Sequence, residues 1–268
     1  MFSCLGMEPN KFLEKKKFRG KNKKRDFEKK NEKDRIAKRL AILGVASRRD
    51  AEKLVMDGKV KVNNIECRDL TQLVSYDDEI AVNGKAIANK PIRTKIYMMN
   101  KPAGYVTTNK DPQGRKTIFE LIPNKFGRLM TIGRLDMNTE GLILLTNNGE
   151  VARKMEMPKT RLRRVYYARV LGELDDKKKE QLADLKNGIK IEGIEYGKML
   201  IFIEENRNVG VKKSYHTLKI IIFEGKNNEI RRVMWHFGLR VVKLTRTQYG
   251  DYRINGLPSG CVKECFYN

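Results

Sequence analysis

The stretch TIGRLDMNTEGLILLTNNGE, Thr131 to Glu150, decides how the chain is read. It sets Arg134 and Asp136 two residues apart, follows them with Thr139-Glu140-Gly141, and runs straight into the apolar strand Leu142-Ile143-Leu144-Leu145. An arginine and an aspartate around a tight turn are ordinarily a solvated pair, and a lone aspartate there is most often a cap or turn former. Gly133, Thr139 and Gly141 read as turn-makers, since glycine adopts backbone conformations that other residues resist. Asn147-Asn148-Gly149 reads as a turn closing the strand. Whether Asp136 is chemical or merely structural depends on the rest of the chain.

At 268 residues the chain is long enough for two domains. No apolar run approaches the roughly 18 residues of a membrane span. The amino-terminal residues lack the apolar segment of a secretory signal, so a cytoplasmic protein without a membrane partner is expected. Cys4, Cys67, Cys261 and Cys265 are few and irregularly spaced, which predicts reduced thiols. The only histidines are His216 and His236, so the Cys261-x3-Cys265 pair lacks a second pair of ligands and no metal site is expected. The 57 Lys+Arg against 33 Asp+Glu leave a net charge of +24, which points to a polyanionic partner, nucleic acid foremost. An anionic membrane would favour a basic helix with a strong apolar face. The run from Lys11 to Lys33 has only Phe12, Leu13, Phe18 and Phe27 scattered through it, so residues 1–33 read as a disordered basic arm.

Residues 34–90 form the next segment. Ile36, Leu40 and Leu43 lie at helical spacing, with Asp34 as an expected N-cap and Gly44 as a stop. A second helix is predicted from the Ser47-x-x-Asp50 capping pattern, with Ala51, Leu54 and Val55 on one face and Gly58 at the end. Alternating strands and the Asn83-Gly84 hairpin signal follow. Arg35, Lys38, Arg39, Arg48, Arg49 and Lys53 are expected on the polar helix faces, and Lys59 and Lys61 on the following strand. The segment RIAKRLAILGVASRRDAEKLVMDGKVKVNN resembles the S4 RNA-binding domain. That resemblance implies binding to structured RNA, with these cations facing phosphates. Paired arginines at a helix start oppose the helix dipole, which a nearby anion would explain.

ANKPIRTK reads as a linker, because Pro91 interrupts any helix. Over residues 91–268, strand signals in KIYMMNKPAGYVTT, GLILLTNN, RVYYARVLGEL, KMLIFIEE and YHTLKIIIFEG interleave with helical signals in DDKKKEQLADLKNG and NNEIRRVMWHFG. This predicts an α+β domain on a mixed, largely antiparallel sheet. Neither a P-loop nor a convincing dinucleotide fingerprint is present.

KPAGYVTT (Lys101–Thr108), GRLDMNTEGLILLTNNGE (Gly133–Glu150) and EGKNNEIRRVMWHFG (Glu224–Gly238) together resemble one family of bacterial rRNA pseudouridine synthases. That family holds the A-type enzymes of the small ribosomal subunit with the B, E and F types of the large one, and the lysine-rich extension looks most like the B type. With the S4-like segment in front, the resemblance covers all but the basic arm. It implies that Asp136 is the catalytic residue in an isomerisation of uridine in ribosomal RNA that uses no cofactor or metal. An ionised carboxylate can act as a nucleophile at the sugar or as a base removing a sugar proton, and the sequence leaves both open. The resemblance also implies Arg231 as the ion-pair partner of Asp136, without which desolvation would push the carboxylate towards its neutral form. Many relatives carry Gln at the position of Glu229, which puts the local hydrogen bonding in question.

Ile230, Val233, Met234 and Phe237 make a helical apolar face, so Arg231 and Arg232 fall in a first turn, where the dipole disfavours cations. Arg232 is assigned to RNA phosphate. The family's pattern of a basic residue, any residue and then Tyr falls on Arg164, Val165 and Tyr166, so the resemblance implies that Tyr166 stacks on the target base, with Tyr167, on the other face of the same strand, as the alternative. Arg134 contacts the RNA backbone or only holds the turn. The rival reading is a noncatalytic RNA-binding or ribosome-assembly protein on the same scaffold. A glycoside hydrolase using Asp136 and Glu140 is more distant, since four residues apart in a turn is no evidence for two opposed carboxylates. Large-subunit rRNA is the expected substrate and a monomer the expected state.

Overall fold

In a computed structural model, residues 33–204 and 215–266 are described; the basic arm, but for Lys33, lies outside them. The chain divides into two compact units, one ending at Thr94 and the other beginning at Lys95. Among the described residues, no helix is long and apolar enough to cross a membrane.

In the first unit, α1 (Ile36–Ile42) stops at Gly44, which takes a φ of 77°. The second helix, α2 (Arg48–Met56), is capped by the Ser47 hydroxyl, which accepts from the Asp50 amide at 3.1 Å. Both helices pack Ile36, Leu40, Ala51 and Val55 against a four-stranded sheet of Val60–Val62, Ile65–Glu66, Ile80–Val82 and Lys85–Ile87. Two hairpins close that sheet, through Asn63-Asn64 and Asn83-Gly84, all four at positive φ, as the tight turns favoured between twisted strands require.

Two expectations for this unit are corrected. Asp34 is no N-cap: it pairs with Val74 in a two-residue ladder, and its buried carboxylate meets Lys38 at 2.6 Å and Arg39 at 3.1 Å. Arg39 does not belong to the polar face. Three residues after Ile36 it falls on the inward side of α1, fully buried, with Nη2 donating to the Val74 carbonyl and its guanidinium 3.6 Å from the Tyr76 ring centroid. Held there, it cannot reach a phosphate. Arg35, Arg48, Arg49, Lys53 and Lys59 are exposed, and Lys38 is half-buried.

The second unit is built on one large sheet. Its strands are β1 (Ile96–Lys101), β2 (Met130–Ile132), β3 (Thr139–Thr146), β4 (Arg164–Leu171), β5 (Met199–Glu204), β6 (Tyr215–Ile222), β7 (Arg240–Tyr249) and β8 (Val262–Cys265). The spatial order is β5-β6-β4-β7-β3-β1-β8, with β2 beside β3, and every one of these pairs is antiparallel except β7 with β3. Leu142 and Leu144 of β3 pack on one face with Val151 and Ala152 of α3 (Gly149–Glu156). Ile143 and Leu145 belong to the larger core on the other face, which includes Leu182 of α4 (Asp176–Asp184) and Ile230, Val233 and Met234 of α5 (Glu229–His236). Cover on both faces is why this strand reads as an unbroken apolar run.

The strand β7 and the helix α3 were not expected. β7 buries Val241, Leu244, Arg246 and Tyr249, spaced three, two and three apart, because register shifts against β4 break the period of two. Asn148 is the N-cap of α3, its side chain accepting from the Glu150 amide at 2.9 Å, so Asn-Asn-Gly opens a helix instead of only closing a strand.

Candidate active site

Asp136 sits on the turn that leads into β3, closed by the Thr139 amide donating to the Asp136 carbonyl at 3.0 Å. Each carbonyl of the segment has a donor. Leu135 accepts from the Thr107 hydroxyl at 2.8 Å, Met137 from the Gly104 amide at 2.8 Å, and Asn138 from Arg231 Nη2 at 3.0 Å. Lys101, fully buried at the end of β1, aims its ammonium at the carbonyls of Pro102, Asp136, Met137 and Thr139, between 2.8 and 3.2 Å away. Thus KPAGYVTT holds GRLDMNT in place through Lys101, Gly104 and Thr107. Sequence reasoning singled out no role for Lys101, although a lysine directly before a proline at a strand end was the available signal. Burial pushes its ammonium down to about 8, against the opposing pull of the Asp136 and Glu140 charges.

Gly141 fixes how closely this turn meets β7. Its φ is 103°, and a Cβ there would collide with the Arg246 carbonyl. The close approach brings the turn against a cleft of about 820 Å³ whose lining includes Arg134, Asp136, Tyr166, Arg231, Leu244 and Arg246. Tyr166, 7% exposed, stands directly opposite Arg246 in the β4–β7 ladder, so the two share a face of the sheet. Tyr167 points to the other face and does not line the cleft. Arg246 donates from Nε to the Leu142 carbonyl at 2.7 Å, while its buried Nη2 has no hydrogen-bond partner among the described residues. Glu140 does not line the cleft either: it accepts from Thr245 at 2.9 Å and pairs with Lys243 at 2.8 Å, which leaves Asp136 without an opposed carboxylate from that source.

The ion pair expected between Arg231 and Asp136 is not formed among the described residues. The Arg231 guanidinium donates instead to the Val241 carbonyl at 2.9 Å and to that of Asn138, tying α5 to β7 and to the turn. Burial lowers its proton affinity and the Asp136 charge acts in the opposite sense, so the two groups interact through space without contact. Arg134 is exposed at the cleft, and Arg232 is exposed on α5 outside the lining.

Glu229 lines the same cleft at 3% exposure. Its Oε2 accepts from the Lys226 amide at 2.9 Å, while Oε1 has no partner among the described residues. Burial, with the nearby Glu224 charge adding to it, pushes this carboxyl up to about 7. A neutral Glu229 presents a donor and an acceptor, as a glutamine would.

Residues 95–236 match the RNA pseudouridylate synthase family, and residues 34–80 match the S4 domain. An uncharacterized RNA pseudouridine synthase of Rickettsia felis is 43% identical over 230 residues, covering 86% of this chain and 96% of the relative. The ribosomal large subunit pseudouridine synthase B of Bacillus subtilis is 37% identical over 232 residues, covering 86% and 91%. A crystal structure of a pseudouridylate synthase, 24% identical, superposes with a TM-score of 0.59 over 87% of this chain and 96% of that one, the same fold. The chain belongs to the RNA pseudouridylate synthase family, isomerases of uridine in RNA, and carries an S4 domain ahead of the synthase fold.

Proposed function

We propose that this enzyme converts a specific uridine of large-subunit ribosomal RNA to pseudouridine, with Asp136 as the reacting carboxylate. The observation that supports the proposal most is the turn itself: the carbonyls from Leu135 to Thr139 are all engaged, which leaves the Asp136 carboxylate as the turn's chemical group on a cleft that Tyr166 also lines. The N1–C1′ bond breaks, the uracil turns, C5 bonds to C1′, and the proton lost from C5 is balanced by one gained at N1. No electrons are exchanged, so the reaction calls for no redox cofactor. Asp136 serves as nucleophile at C1′ or as base at the sugar, and the cleft suits either.

In this reading Tyr166 stacks on the flipped uracil, and Arg231 steadies the turn and offsets the aspartate's charge through space. Arg134 and Arg232 meet phosphates near the target. The domains are 1–33, a basic arm; 34–90, the S4-like domain; and 91–268, the synthase. Arg35, Lys38, Arg48, Arg49, Lys53 and Lys59 supply affinity and register, offsetting the few kcal/mol, roughly, of drawing a base from its stack. The enzyme works as a cytoplasmic monomer. The relative in Bacillus subtilis, named for the large subunit, supports that substrate.

The test is a pseudouridine map of bulk rRNA from cells lacking the protein, complemented by wild type or by Asp136→Asn. One uridine left unmodified in the deletion and in the variant, and restored by wild type, is the expected outcome. An unchanged map at normal expression would refute the assignment to rRNA.

A further inference from the structure

Beyond the cleft, α5 carries a residue that the chemistry above does not use. Trp235, the chain's single tryptophan, is 70% exposed. Scattered exposed aliphatic residues are normal, but an indole is highly buried on average. Its position adds to this. Trp235 follows Arg231 by four residues, so it stands just over one turn, about 6 Å, further along the same side of the helix. Arg231 grips the carbonyls of Asn138 and Val241, and their chain neighbours Met137 and Val242 are exposed as well, at 38% and 44%. Trp235 therefore stands on the helix whose Arg231 lines the cleft, and Met137 and Val242 add exposed apolar residues next in sequence to the carbonyls that Arg231 holds. Exposed cations flank it along the chain: Arg232 on the helix and Arg240 just after it.

An exposed indole flanked by exposed arginines, on a chain of net charge +24, fits a single-stranded nucleic acid better than a protein, because every base offers a π-face and every nucleotide a phosphate. Resting on the function proposed above, we infer that Trp235 is a stacking platform for an unpaired base neighbouring the target uridine, with Arg232 and Arg240 on the adjoining phosphates. The platform fixes which nucleotide enters the cleft, because one base held at the rim sets the register of the next.

The single tryptophan makes the test direct. Full-length Asp136→Asn protein is titrated with large-subunit rRNA transcribed in vitro, following indole fluorescence and, separately, RNA retention on a filter. Binding should quench the fluorescence. Trp235→Ala in the same background should bind roughly tenfold or more weakly, and Trp235→Tyr should recover most of the loss. RNA retained at full affinity with unchanged fluorescence, or a quench with no loss of affinity in Trp235→Ala, overturns the platform and leaves the proposed function standing. RNA not retained at all overturns both.

Discussion

Replacing Glu229 by Gln removes a titration that the fold resists. The carboxyl is buried beside Glu224, whose own carboxylate is engaged by the Lys226 ammonium at 2.6 Å, and it receives the Lys226 amide on one oxygen only. In the unfolded chain it ionises near 4.5; in the folded protein burial raises that to about 7. A group raised on folding favours the native state while protonated, so its contribution is fully present below pH 4.5 and is lost as pH rises through 7. At about 1.4 kcal/mol per tenfold change in proton affinity, wild type should forgo about 3 kcal/mol by pH 8. Glutamine keeps an acceptor for the Lys226 amide, adds a donor towards Glu224, and has nothing to ionise. Urea unfolding of wild type and Glu229→Gln at pH 4.5, 6, 7 and 8 should therefore give nearly equal stabilities at the acid end and a gap in favour of the variant that widens towards pH 8. A gap that stays constant with pH, or that narrows, refutes the reasoning.

Lys101 is shifted the other way but also acts while protonated: its ammonium holds the Asp136 turn, so single-turnover isomerisation should fall as pH rises through about 8, and a flat profile to pH 9.5 would count against the clamp. Lys101→Met should cost activity well beyond its effect on RNA affinity, measured by comparing single-turnover rates with filter binding. Gly141→Ala forces a Cβ into the Arg246 carbonyl at a φ of 103° and should destabilise the synthase unit by more than about 1 kcal/mol in urea unfolding. Arg39→Ala should lower the melting temperature by leaving buried Asp34 short of a partner, whereas Arg49→Ala should weaken RNA binding with no change in melting.

The elements written in local patterns were legible. Helices α1 and α2, the Asn83-Gly84 hairpin and strands β1, β3, β4, β5 and β6 follow from periodicity and turn chemistry within a dozen residues. What failed depended on partners far away in sequence. β7 was hidden because its register against β4 shifts twice, which breaks the alternation a strand is recognised by. The burial of Arg39, which its charge had assigned to the polar face, follows from the Val74 carbonyl and the Tyr76 ring far along the chain, and that of Lys101, to which no role was assigned, from the carbonyls of the Asp136 turn. For the site, Asp136, Tyr166 and Arg231 line one cleft, yet the geometry of Arg231 differs from the expected pair, since two backbone carbonyls take its hydrogens.

The parallel contact between β3 and β7 joins Thr139–Gly141 to Leu244–Arg246 across more than half of the synthase unit. Non-local pairings of that span form late, after the entropy of a long loop has been overcome. A ribosome delivers the chain amino end first. Residues 34–87, with contacts drawn from their own neighbourhood, can therefore close while the floor of the cleft is still unsynthesised. During that interval the nascent protein carries the surface proposed to hold RNA and has no means of acting on it: affinity matures before reactivity.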